Sequence, residues 1–204
     1  MMIFYNERLA YLAVPKTGTS AVERALHRRA SLVLRDPPGM KHTNARGYER
    51  RFRSMFEREE MPPIQTVAVM RHPLDWLGSW YRYRQRPALD GHINSTKGIS
   101  FDVFVEAYLA DQQPPHAQVG SQGRFVTDES EELLVNHLFQ YEDLAPFLTF
   151  MQKRLGASIE LKTVNKSPNR ELTLSSDLER ALRDRLALDY QIHEALGSGP
   201  LSLG

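Results

Sequence analysis

The segment LAYLAVPKTGTS, residues 9–20, constrains this chain more than any other. An unbroken apolar run from Leu9 to Val14 stops at Pro15, passes through Lys16-Thr17-Gly18-Thr19-Ser20, and gives way to AVERALHRRA, which has helical spacing. The pattern predicts strand, tight loop, helix. Such a turn gathers free backbone N–H groups and the positive end of a helix dipole at one point, where a phosphate is attracted. Gly18 permits close backbone approach, Thr17, Thr19 and Ser20 can donate hydroxyl hydrogen bonds, and Lys16 adds an ammonium. Taken alone, the same residues also describe an ordinary capped helix after a strand, with Thr19 or Ser20 as the N-cap. A nucleotide-triphosphate loop, G-x-x-x-x-G-K-[ST], carries its Lys after the second glycine; here Lys16 precedes the loop's glycine, which disfavours a kinase or NTPase.

A second unit of the same kind follows. Thr66–Met70 (TVAVM) is continuous and β-branched, as a parallel strand covered on both faces should be. It ends at Arg71-His72-Pro73, with Pro73 suited to the first turn of a helix through Trp76, Trp80 and Tyr83. NHLFQYEDL predicts a third strand and LAPFLTFMQKRLG a helix ended by Gly156. Ser176-Asp177-Leu178-Glu179 has the pattern of a capping box, opening a final helix that should run to Gly197. Between these units, DPPGMKHTNARGYERRF reads as a connection into a solvated helix, FDVFVEAYL as a helix, and QQPPHAQVGSQGRFVTDES as a long irregular loop of the sort that often carries function. The alternation predicts one α/β domain over residues 1–204, a three-layer α/β/α arrangement with a central parallel sheet.

Composition removes several classes of function. Lys and Arg (26) balance Asp and Glu (25), so the formal charge of +1 gives no global argument for a nucleic-acid partner. Cysteine is absent, which excludes disulfides, thiolate zinc sites and cysteine nucleophiles and agrees with a reducing compartment. Glu7 and Arg8 interrupt the apolar N-terminus, so neither a signal peptide nor a membrane span is expected, and the chain reads as cytoplasmic. Oligomeric state has no signature.

Arg71 and Ser79 stand eight positions apart, about two helical turns, and could hold a second anion between a guanidinium and a hydroxyl, although most such pairs are solvated. PKTGTS after the first strand, together with VAVMRHPLDWLGSWYRY after the second, resembles the family of sulfotransferases that use 3′-phosphoadenosine 5′-phosphosulfate (PAPS), in its bacterial type. The likeness extends weakly to YEDL (141–144) and NKSPNR (165–170). It implies a P-loop-NTPase-like sulfotransferase fold with PAPS as co-substrate and no metal. It further implies that Lys16, Thr17, Gly18, Thr19 and Ser20 surround the 5′-phosphosulfate, that Arg71 and Ser79 bind the 3′-phosphate, and that Lys166 or Arg170 closes over the nucleotide.

Sulfuryl transfer parallels phosphoryl transfer, in which positioning and charge stabilisation supply most of the catalysis. Lys16 is the leading catalytic candidate, as the cation that stabilises the departing bisphosphate. His42 is the candidate base, because some bacterial and carbohydrate-directed members resemble this chain in carrying a Lys-His pair like Lys41-His42; the alternative is a surface histidine in a basic segment. His72 and His116 are poorer candidates, and Glu142 reads better as a structural carboxylate than as a base. Trp76, Trp80, Tyr81 and Tyr83 either pack the core or line an acceptor pocket or the adenine. The acceptor, a small molecule or a saccharide bearing a hydroxyl or amine, is expected between residues 36–48 and 112–125, with a saccharide slightly favoured by the Lys-His pair. Two other functions compete: a small-molecule kinase, and a nucleotide-binding module without turnover.

Overall fold

The computed structural model describes residues 1–161 and 172–203. The chain opens with β1 (Met2–Phe4) and β2 (Leu9–Tyr11), followed by helix α1 (Thr19–Leu26) and β3 (Leu32–Val33). Three helices, α2 (Pro38–Lys41), α3 (Ala45–Arg51) and α4 (Arg53–Phe56), lead to β4 (Gln65–Met70) and α5 (Pro73–Arg84). Then come α6 (Phe101–Leu109), α7 (Gly123–Val126), β5 (His137–Gln140), α8 (Ala145–Leu155), α9 (Ser176–Arg185), α10 (Ala187–Leu196) and β6 (Leu201–Ser202).

The strands form one mixed sheet in the order β3-β1-β2-β4-β5-β6. Its centre, β2-β4-β5, is parallel; β1 and β6 pair antiparallel with it on either side, and β3 pairs antiparallel with β1. The predicted parallel sheet is therefore its middle alone. Parallel strands need helices on both faces, and the side chains obey the period of two that this requires. Ile3, Ala10, Ala68, Met70 and Leu138 pack on one side with Ala45, Tyr48 and Leu196. Phe4, Tyr11, Val67, Val69 and Phe139 pack on the other with Val22, Leu26, Phe147 and Met151.

The interrupted N-terminus is a hairpin: Arg8 takes φ 51° in the turn, and its buried guanidinium donates to Pro62 O at 2.8 Å and Phe56 O at 3.0 Å. Those carbonyls offset part of the cost of burying the cation, while its Nη2 has no acceptor among the described residues. Three sequence expectations need correction. The helix expected to be solvated after residue 44 is amphipathic, with Ala45, Tyr48 and Phe52 buried against the sheet. The terminal helix breaks at Leu186, whose φ and ψ of −109° and 28° separate α9 from α10. The N-cap of α9 is Ser175, and no side chain caps it, so the capping box does not form. Among the described residues no helix is long and apolar enough to cross a membrane.

Candidate functional site

Because β2, β4 and β5 are parallel neighbours, the segments that leave their C-terminal ends meet at one edge of the sheet. They bring together Lys16 to Ser20, Arg71 and Tyr141. Tyr141 lies between the two loops: a Cβ at Gly18 would come 3.3 Å from Tyr141 Cε2, and the Arg71 guanidinium carbon stands 4.8 Å from the same ring's centre.

The loop after β2 is held in an unusual backbone state. Gly18 (φ 74°) is the N-cap of α1 in the left-handed region, and Lys16 takes φ 68°, which costs a side-chain-bearing residue energy. The backbone N–H groups of Lys16, Thr17, Gly18, Thr19 and Ser20 find no acceptor among the described residues. Five amides around one loop at a helix start make an anion cradle. The N-cap is thus Gly18 rather than Thr19 or Ser20. Thr17 needs correction too: its hydroxyl donates to Val14 O at 2.9 Å, so it staples the loop and its proton is not free for a ligand. Thr19 is buried and Ser20 exposed.

Positive charge converges on this cradle. Burial, followed by the charges of Arg86, Arg71 and Arg82, pushes the Lys16 ammonium down to about 8. Its Nζ sits 4.1 Å from the Tyr83 ring centre and 5.6 Å from that of Trp80. Among the described residues no carboxylate pairs with Lys16, Arg71, Arg82 or Arg86. Arg71 Nε and Arg82 Nε are buried and have no acceptor there either. Buried donors of this kind call for a partner, whether water, an ion or a ligand. Ser79, half-buried on α5, lies three and four positions before Arg82 and Tyr83 and so shares their helix face.

Sequence reasoning missed Arg82 and Arg86: Arg82 follows Ser79 by three positions on α5, whereas Arg86 lies beyond the end of that helix at Arg84. It also missed a brace. The Gln122 side chain, with no exposed surface, accepts from Arg71 N at 2.9 Å and donates to Arg71 O at 2.7 Å. Buried Asp189 accepts from Gln122 N and from Ser121 Oγ, both at 2.8 Å. No local pattern links residues 71, 122 and 189.

His42 ends α2, and its Nδ1 lies 2.7 Å from Ala13 O. A carbonyl only accepts, so Nδ1 carries the hydrogen and Nε2 the lone pair. Burial holds this imidazole below its ordinary range, partly offset by the Ala13 hydrogen bond. Its neighbour Lys41 is tied to Glu23 at 3.0 Å. His42 lines a pocket of about 240 Å³ walled by segments 42–44 and 119–125, together with Val14, Pro15 and Trp76. The two segments expected to face the acceptor therefore do meet.

The remaining candidates separate. His72 packs edge-on against His193 and Tyr190; its N–H donates to Glu142, which also meets His193 Nε2 at 3.1 Å. Glu142 is thus a structural carboxylate at the start of α5. His116 stands beside Arg84, outside the pocket. Trp76 and Tyr81 are core, while Trp80 and Tyr83 face Lys16. Lys166 and Arg170 lie outside the described residues. No protein-family model matches this chain, and no characterised protein matches it significantly. The chemistry at this sheet edge is therefore argued from the side chains themselves.

Proposed function

We propose that the chain is a PAPS-dependent sulfotransferase of the P-loop-like α/β type, acting through Lys16, His42 and the two anion sites. The observation that carries this reading is the unpaired cation group, Lys16, Arg71, Arg82 and Arg86, set around an amide cradle. One phosphate would leave much of that charge unanswered; a nucleotide with anionic groups at both ends answers it. Lys16, Gly18, Thr19 and Ser20 would take the 5′-phosphosulfate, Thr17 through its main chain only, and Arg71 with Ser79 the 3′-phosphate.

The step balances without a further reactant. The acceptor oxygen attacks sulfur in line, and its O–S bond forms as the S–O bond to the 5′-phosphate breaks. The electron pair of that bond leaves with adenosine 3′,5′-bisphosphate, stabilised by Lys16 and the cradle. The acceptor proton passes to His42 Nε2.

Thermal stabilisation tests the reading. Adenosine 3′,5′-bisphosphate at a hundred times its Kd should raise Tm by about 5 °C or more, and ADP or ATP by less. Labelled sulfate should then move from PAPS to acceptor, with transfer lost in Lys16→Ala and nucleotide affinity reduced in Arg71→Ala. Stabilisation by ATP alone would support the kinase instead. Bisphosphate binding with no transfer to any acceptor would leave a binding module.

A further inference from the structure

The pocket beside the phosphate loop has a wall chemistry that limits what can enter it. Its apolar lining comes from Val14, Pro15, Trp76, Val119 and Phe125. Its polar side chains are mostly committed within the protein. Asn44 Oδ1 accepts from Gly47 N at 2.8 Å, capping α3. Ser121 Oγ donates to Asp189 and accepts from Arg124 N. The Gln122 amide is engaged at both ends by Arg71. Two main-chain oxygens are engaged as well: Pro15 O accepts from Trp76 Nε1 at 2.9 Å and Gly120 O from Tyr108 OH at 2.8 Å. Among the lining side chains, the proton-accepting atom without any partner among the described residues is His42 Nε2. The Asn44 amide N–H groups and the exposed Arg124 guanidinium remain as donors.

We infer that this pocket takes a one-ring, largely apolar alcohol or phenol, presenting a single hydroxyl to His42 Nε2, and that it rejects saccharides. The inference rests on the sulfuryl-transfer reading and names its acceptor. Size supports it: about 240 Å³ is the space of roughly eight water molecules, enough for a single ring and too little for an oligosaccharide. Polarity decides it. A sugar ring of the same size brings several further hydroxyls, while the side chains of the wall leave few groups to meet them: the Asn44 amide N–H, the Arg124 guanidinium and His42 Nε2. Each one buried without a partner weakens binding about tenfold. A phenol brings one hydroxyl, which His42 receives, and a ring that the Trp76 and Phe125 side accommodates. The Lys41-His42 resemblance that favoured a carbohydrate loses its force here, because Lys41 is turned to Glu23 at 3.0 Å.

Phenol and methyl glucoside, matched in ring size, make the test. With PAPS supplied, kcat/KM for phenol should exceed that for the glucoside at least tenfold. Val119→Trp, which fills the pocket, should cut phenol transfer at least tenfold while adenosine 3′,5′-bisphosphate still shifts Tm as in the parent. Equal or better use of the glucoside overturns the inference, as does unchanged phenol transfer in Val119→Trp, or phenol bound without transfer in protein that binds the bisphosphate. Should the bisphosphate fail to bind, the sulfuryl-transfer reading falls by itself. Saturation-transfer NMR of phenol on the protein alone then decides the pocket: a signal lost in Val119→Trp upholds its ligand class, and no signal in the parent overturns it.

Discussion

Gln122 grips Arg71 by its main chain alone, accepting from its N–H at 2.9 Å and donating to its carbonyl at 2.7 Å. The guanidinium is thereby left free for other work while its root is fixed. Asp189, receiving Gln122 N at 2.8 Å, sets the brace from α10, so Gln122 and Asp189 act as positioning residues for the proposed second anion site.

Replacing the brace should therefore reach the nucleotide. Gln122→Leu leaves two main-chain groups of Arg71 unpaired and should destabilise the fold by about 1–3 kcal/mol. Beyond that loss, bisphosphate affinity by calorimetry should drop about tenfold, and KM for PAPS should rise more than kcat falls. A lower Tm with unchanged affinity would reduce Gln122 to a packing role.

Lys16 is costly where it stands, a side-chain-bearing residue at φ 68° with its ammonium among arginines. Lys16→Gly removes both burdens. Calorimetry should find it more stable by about 1 kcal/mol, a rise of about 2–4 °C in Tm, while sulfate transfer disappears. A stability gain at the expense of activity marks a residue kept for its function.

Gly18→Ala should act in the opposite direction. At φ 74° an alanine is strained, and its Cβ would press on Tyr141 at 3.3 Å. Stability should fall by about 1–2 kcal/mol. Because Tyr141 also underlies Arg71, bisphosphate affinity should weaken with it, which isothermal titration would measure.

The pH profile of kcat/KM should be bell-shaped. His42 must be neutral to receive a proton, and its lowered pKa places the rising limb below the ordinary imidazole range. Lys16 must be charged, so activity should fall as pH rises through about 8, well before an ordinary lysine titrates. His42→Gln should abolish the acid limb and leave the alkaline one. An alkaline limb near 10 would contradict the crowding of Lys16.

Much of the fold was legible because parallel strands announce themselves: Leu9–Val14 and Thr66–Met70 are apolar throughout and stop at loop residues. The flanking strands were not, since β3 and β6 span two residues each and owe their pairing to the sheet beside them. The break at Leu186 was hidden for a related reason, as the apolar stripe continues through it. In the site, Lys16 to Ser20 and Arg71 were readable as local patterns following strands. Thr17 was misread because a hydroxyl's partner depends on loop geometry, here Val14 O. The Gln122–Asp189 brace joins elements with no periodic relation, so only the folded chain brings it into view.

Trp76 and Trp80 are the only tryptophans in the sequence, and both lie on α5 against the loop that follows β2. Trp76 donates its indole N–H to Pro15 O, and Trp80 stands near the Lys16 ammonium. The protein thus carries a built-in optical probe with no other tryptophan to obscure it. When an anion draws Lys16 away from the indole, emission should change in step with occupancy, so unlabelled protein can be titrated directly.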